Sequence, residues 1–231
     1  MTGSTGGTAA AVPAAEDYKR WVLASGNPGK AREFQALLAP LSVSIVLQAE
    51  LGVDDAEEPF STFVENALAK ARHASRQTGL AALADDSGIC VPGLGGAPGV
   101  RSARYADLPP GLPRQQVDAA NNRKLILASV SLPQPVSCFY YCVIVLLRHA
   151  DDPRPLIAEG SWVGRLVAEA RGNHGFGYDA HFQPEGRAHT AAEMEPAQKN
   201  RISHRGRAIA SLLSALAAQP PVAPAASAAS R

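Results

Sequence analysis

An α/β fold with a mixed sheet is predicted by three features of this sequence. Apolar segments of strand length alternate with amphipathic helical segments through the first half, strand-like segments cluster in the second, and 46% of the 231 residues are hydrophobic, enough to fill a sizeable core. Alternation favours parallel neighbours joined by helical crossovers, whereas clustered strands favour antiparallel pairing, so one sheet is expected to hold both. The length suits a single two-lobed domain over residues 18–218. The flanks, 1–17 and 219–231, consist largely of Gly, Thr, Ala, Pro and Ser. They bury too little apolar surface to offset the entropy of ordering and are expected to be disordered tails.

The first strand is expected at 21–25, where an apolar run meets the turn formers Asn27 and Pro28, and a helix follows over 31–38. Val43, Ile45 and Leu47 alternate as a second strand with one buried face. Thr62 stands three positions before Glu65, the spacing of a capping box. Behind it Phe63, Val64, Ala67, Leu68, Ala71 and Ala74 form the apolar stripe of a helix reaching about Gln77, with Glu65, Lys70 and Arg72 on its other face. Residues 80–84 read as a buried strand delivering Asp85 and Asp86 at its end, and 89–91 as a brief continuation before Pro92 and a glycine-rich loop. Residues 113–130 carry helical apolar positions at Val117, Leu125 and Ile126, and 138–147 form the longest apolar strand, expected at the centre of the sheet. Further strands are expected at 156–163 and 178–182, and a closing helix over 205–218, with Ile209, Leu212, Leu213 and Leu216 on one side.

Charge and composition narrow the function. With 22 basic against 21 acidic residues the net charge is +1, so no broad positive field holds a nucleic-acid backbone by counterion release. A small polyanion bound in one local pocket fits better. Cys90, Cys138 and Cys142 are odd in number and lack a CxxC pair, which points to buried thiols rather than a disulfide framework or a zinc site, as suits the cytoplasm. No apolar run is long enough to span a membrane, and the start of the chain lacks the basic and apolar segments of a signal peptide, so neither membrane nor nucleic acid is an expected partner.

Several segments carry chemistry. Ser25-Gly26-Asn27-Pro28-Gly29-Lys30 joins a strand to a helix and brings glycines, a lysine and a helix N-terminus to one point, where a phosphate can bind; read alone, it is equally an ordinary strand-turn-helix. As a Walker loop it fails at Ala24 and Ala31, which stand where glycine and a magnesium-binding hydroxyl belong, so a P-loop-like NTPase is disfavoured. Asp85-Asp86-Ser87-Gly88 offers adjacent carboxylates of the kind magnesium takes, and Glu57-Glu58 a second acidic pair. Either could also be a solvated turn. The loop Gly93 to Gly99 is not a dinucleotide fingerprint, because Pro98 falls where a helix should be starting. In Gly175-Phe176-Gly177-Tyr178-Asp179 an aromatic ring between glycines can stack on a base, or plug the core. Lys199, His204 and Arg205 gather before the last helix, where Arg205 sits at the unfavourable end of the macrodipole, as if meeting a specific acceptor.

Taken together and in order, Ser25 to Lys30 with Glu33, Phe63-Val64-Glu65-Asn66-Ala67 with Lys70-Ala71, Ala84 to Gly88, Gly95 to Gly99 with Ser102-Ala103-Arg104-Tyr105, Gly175 to Asp179 and Ser203 to Gly206 closely resemble the inosine triphosphate pyrophosphatase family. The resemblance runs from about Trp21 to Leu216. It implies an elongated mixed sheet flanked by helices, with the active cleft between two lobes. It also implies a magnesium-dependent homodimer that hydrolyses deaminated purine nucleoside triphosphates, ITP, dITP and XTP, to the monophosphate and diphosphate, clearing them from the nucleotide pool. Carried onto this chain, Ser25, Gly26, Asn27, Pro28, Gly29 and Lys30 hold the triphosphate with Lys70, Asp86 is proton acceptor and metal ligand, and Ser87 contacts substrate. Glu57 is a further metal ligand, with Glu58 its rival. Phe176, Gly177, Tyr178 and Asp179 frame the base, Lys199 contacts the nucleotide, and His204 and Arg205 hold the purine edge. A non-catalytic nucleotide-binding regulator is the alternative, should the acidic cluster carry no chemistry.

Overall fold

The structure is a computed structural model that describes residues 20–39, 41 and 43–218; both expected tails lie outside these described residues. Six strands form one mixed sheet in the order β2-β1-β3-β4-β5-β6, comprising β1 (Arg20–Ala24), β2 (Ser44–Leu47), β3 (Ala81–Cys90), β4 (Ser137–Leu147), β5 (Leu156–Leu166) and β6 (Phe182–Pro184). Both neighbours of β1 run parallel to it, and the β3–β4, β4–β5 and β5–β6 pairs are antiparallel. This is the mixed sheet expected from early alternation and late clustering. The helices are α1 (Pro28–Leu38), α2 (Phe63–Thr78), α3 (Arg114–Ser129), α4 (Pro196–Ile202) and α5 (His204–Ala217).

Local sequence explains most of the boundaries. Asn27 caps α1, its Oδ1 accepting from the N–H of Gly29 at 2.9 Å. Thr62 caps α2 by accepting from the Glu65 N–H at 3.3 Å, while its own hydroxyl donates to the Glu65 carboxylate. Ser203 ends α4 and caps α5 by accepting from the Gly206 N–H at 3.2 Å.

Packing divides the sheet into two lobes. In one, α1 and α5 cover one face through Phe34, Leu38, Ile209 and Leu212, and α2 covers the other with Ala67, Ala71 and Ala74. Alanines suit α2, because a small side chain lets a helix lie close to the strands. The second lobe gathers Ile89, Leu125, Tyr140, Trp162, Phe182 and Met194. The long strands β3, β4 and β5 run through both cores, and the midpoints of β3 and β4 lie between the lobes. Where α5 crosses β5, Gly160 leaves no room for a side chain: a Cβ there would lie 2.1 Å from the His204 carbonyl oxygen and 2.5 Å from the Ala208 nitrogen.

Three expectations need correction. Residues 80–84 and 89–91 belong to one strand, so Asp85 and Asp86 sit at mid-strand rather than at a strand end. Nothing local reveals this, since Asp-Asp-Ser-Gly has the composition of a turn and only pairing with Ile144 and Val143 holds it extended. The strand expected at 178–182 is instead a short 3₁₀ turn, Asp179–His181, followed by β6. Finally α4 was not anticipated; it is one short element opened by Pro196 at its first position.

Candidate active site

Alternation along β3 decides the roles of its two aspartates, because successive side chains in a strand point to opposite faces. Asp85 turns toward α1 and α5. Its Oδ2 accepts from Lys30 Nζ at 2.9 Å, Ser87 Oγ at 3.0 Å and Arg205 at 3.4 Å. Burial alone would raise its pKa, but Lys30, Arg205 and Lys70 outweigh burial and hold the carboxyl well below the usual range. Asp86 turns toward α2, where its Oδ2 accepts from Asn66 Nδ2 at 3.2 Å and its Oδ1 from the Ser87 N–H at 2.9 Å, with Lys70 Nζ 3.7 Å away. Here burial prevails, helped by Glu58 and Asp85 against Lys70 and Lys30, and the pKa is raised. Asp85 is therefore a fixed counter-charge and Asp86 the more basic of the pair.

A cleft of about 840 Å³ opens over Asp86 between the lobes. Ser25, Gly26, Asn27 and Lys30 form one part of its wall, Glu57, Glu58 and Lys70 another, and Ser87, Phe176, Gly177, Tyr178, Asp179, Lys199, His204 and Arg205 the rest. Gly29, also picked out from sequence, lies in the first turn of α1 and does not line it. The Phe176 ring packs on that turn: a Cβ at Gly29 would lie 2.9 Å from it. Asn27 already accepts from the Gly29 and Lys30 amides, so this loop offers chiefly side chains to a phosphate, not a row of free amides.

Glu57 and Glu58 diverge. Glu58 is clamped by Lys70 at 2.5 Å and Arg104 at 2.9 Å; burial works against its ionisation, yet these cations lower its pKa. Glu57 is exposed on the cleft wall. Lys70 links Glu58 to Asp86, and although burial opposes its charge, Asp86, Asp85 and Glu58 raise its pKa.

At the other end of the cleft, Asp179 accepts from Lys199 Nζ at 2.6 Å, the Phe176 N–H at 2.9 Å and the Tyr140 hydroxyl at 3.3 Å. It organises this wall from below, being buried itself. Tyr178 is buried too, its hydroxyl donating to the Ser102 carbonyl at 2.8 Å. Arg205, in the first turn of α5, pairs with Glu33, Asp85 and Ser87, which supply the specific acceptors its unfavourable position suggested. His204 stacks on Tyr140 with ring centroids 4.5 Å apart and planes 7° from parallel. Burial, then Arg205 and Lys199, drive its pKa well below the ordinary value, so its imidazole is neutral. His204 Nδ1 and Arg205 Nε are buried with no hydrogen-bond partner among the described residues.

Sequence reading gave no role to Glu33, Asn66, Arg104 or Tyr140. Glu33 lies one helical turn after Lys30 and so shares its face, a signal that could have found it. Tyr140 and Arg104 gave none, because strand pairing and a loop contact across 46 positions bring them in.

For magnesium the donors present are suitable. Among the described residues no group of three His, Cys, Asp or Glu is placed to hold a metal, but magnesium typically takes one or two carboxylates and completes its shell with water and substrate phosphates. Asp86 and Glu57 can supply those carboxylates.

Mixed-sheet topology and a charged cleft at mid-strand define the class, an α/β protein built to receive a small, highly charged ligand between two lobes. The sequence model of the Ham1 family matches residues 21–215. Among curated proteins, a dITP/XTP pyrophosphatase of Ralstonia nicotianae is 57% identical over 198 residues, covering 86% of this chain and 96% of that protein. One of Burkholderia pseudomallei is 58% identical over 199 residues, covering 85% and 93%. Among solved structures, a HAM1 protein from Coxiella burnetii superposes with a TM-score of 0.78 at 45% identity, covering 87% of this chain and 99% of that one. The chain belongs to the Ham1 family.

Proposed function

We propose that this protein hydrolyses deaminated purine nucleoside triphosphates, dITP, ITP and XTP, to the monophosphate and diphosphate. The observation that carries this reading is a single cleft whose wall holds the cations Lys30 and Lys70 and the carboxylate Asp86 together with Phe176, His204 and Arg205. A triphosphate and a base can be bound there at once. The names borne by the relatives, dITP/XTP pyrophosphatase, support the same chemistry.

In this mechanism Lys30 and Lys70 orient the triphosphate, and Asp86 takes the proton from a water aimed at the α-phosphorus. Asn66 and the Ser87 amide fix the carboxylate while it does so. Ser25, Asn27 and Ser87 add polar contacts along the phosphates. Asp86 and Glu57 would hold magnesium, which would supply Lewis-acid stabilisation of the charge left on diphosphate.

At the base end Phe176 stacks on the purine, with Lys199 5.0 Å from its ring centre. Deamination replaces the amino donor at purine C6 with a carbonyl acceptor. Donors of this wall, the Arg205 guanidinium first among them, meet that acceptor, whereas adenine would face them donor to donor. Each buried donor left unpaired costs about 1–3 kcal/mol, enough for a strong bias against ATP. We further infer that the protein acts on the free nucleotide pool in the cytoplasm, as a homodimer. Three free, buried cysteines and the absence of a membrane-length apolar helix among the described residues agree with that setting.

The deciding experiment is a panel of canonical and deaminated nucleoside triphosphates with magnesium, assayed separately for diphosphate and orthophosphate. Diphosphate from ITP, dITP and XTP is expected, with little from ATP. Orthophosphate release would indicate a P-loop-like NTPase, and binding without turnover a regulator.

A further inference from the structure

The base-end loop is gripped from behind by α3. Asp118 Oδ2 accepts from the Gly177 N–H at 3.1 Å, and Asn122 Nδ2, one helical turn on, donates to the Gly177 carbonyl at 2.9 Å. Both polar groups of one peptide residue are thus held by an i, i+4 pair of side chains. Arg114 fixes the other Asp118 oxygen at 2.9 Å. Asn122 Oδ1 is buried without a partner among the described residues, so the amide is engaged there through its bond to Gly177.

This grip matters because it acts on the one glycine between Phe176 and the buried Tyr178. Gly175 and Gly177 both have positive φ, 77° and 62°, conformations open to glycine and rare for other residues. Behind the loop lies a second cavity of about 870 Å³, which shares Arg114, Asp118, Phe176, Gly177 and Asp179 with the cleft. Tyr178 anchors the far side of the segment in the core and Asp179 holds the Phe176 amide, while at Gly177, which has no side chain to pack, the α3 pair supplies the side-chain hydrogen bonds.

We propose that Asp118 and Asn122 are specificity-determining positioning residues, which set the height of the Phe176 ring over the base site and so the discrimination among purines. The functional half of this inference rests on the reading given under Proposed function; the grip itself does not. Neither residue touches the reacting atoms, and both act through Gly177.

The test uses the full chain carrying Asp118→Ala, Asn122→Ala, both together, and Asp118→Asn, which keeps an acceptor for the Gly177 amide. Hydrogen exchange of the ligand-free proteins reads the grip directly: the Gly177 amide is expected to be protected in the parent, at least about tenfold faster in the double variant and close to parental in Asp118→Asn. Kinetics read the consequence, with the ratio of kcat/KM for ITP over GTP falling about tenfold in the double variant, chiefly through KM. Inhibition by diphosphate, which has no base to position, should stay within about twofold of the parent. Unchanged exchange at Gly177 would overturn the grip. Altered exchange with an unchanged substrate ratio, or a ratio that falls only in step with diphosphate affinity, would overturn its role in specificity. Should the parent turn over no deaminated nucleotide, the proposed activity and this specificity role fall together, while the exchange data still decide the grip.

Discussion

Asp86 and His204 show how burial sets the chemistry of a single side chain. Both are desolvated, and both are pushed toward their neutral forms, Asp86 upward and His204 downward in pKa. For Asp86 the charge costs stability at neutral pH, so Asp86→Asn should leave the protein as stable as before or more so while reducing diphosphate release about 10²–10⁴-fold. Parallel thermal melts and turnover assays check both halves, and near-normal turnover would remove Asp86 as the base. For His204 the unfolded chain titrates near 6.5 and the folded protein well below it, so as pH falls through 6.5 the unfolded state takes up the proton first. The stability at stake is present above pH 6.5 and drains away below it, by about 1.4 kcal/mol per pH unit until the folded pKa is reached. His204→Phe keeps a ring against Tyr140 but cannot titrate. Urea unfolding of both proteins between pH 7.5 and 5 should give a shallower loss for the variant, and parallel curves would mean His204 is charged in the folded state. Arg205→Ala should lower the preference for ITP over ATP and also leave Asp85 and Glu33 without their shared cation. A second change, Arg205→Lys, retains charge without a guanidinium fork and separates the two effects. If it restores stability but not preference, base recognition belongs to the guanidinium.

Among the elements, α5 has the least freedom. Its first turn carries two residues of the base end, and its docking on β5 relies on the missing side chain at Gly160. Gly160→Ala must push the helix away from the sheet, since the atoms it meets are backbone and cannot rotate aside. A loss of about 1–3 kcal/mol is expected from denaturant titration, with KM for ITP rising because His204 moves with the helix. Stability lost with KM unchanged would mean that the first turn of α5 is held independently of its contact with β5. The same logic explains why α2 presents alanines to the sheet and why Asn66, on that helix, can reach Asp86.

Across the molecule, the long strands β3, β4 and β5 connect two lobes whose cores are otherwise separate clusters. A ligand filling the cleft touches both. A non-hydrolysable inosine triphosphate analogue at about a hundred times its Kd should therefore raise stability by about 2.7 kcal/mol in a single cooperative transition, not by stabilising one of two. Calorimetry checks this, and two transitions with only one moving would confine binding to one lobe.

The sequence by itself determined most of the order of strands and helices, the cap at Thr62, and the blocks of residues from which the cleft is built, because these depend on patterns within a turn or two of chain. It also carried enough identity to reveal the family. The tertiary structure alone decided that Asp85 and Asp86 part company. Their neighbours in sequence suggest one acidic turn, but pairing with β4 extends the chain there and the pleat sends one carboxylate to Lys30 and Arg205, the other to Asn66 and Lys70. Likewise Glu58, Arg104 and Tyr140 acquire their partners over long separations that no local pattern records. Periodicity fixes what a residue faces along its own element; its partner across the core depends on packing, and the charge balance of this cleft is set there.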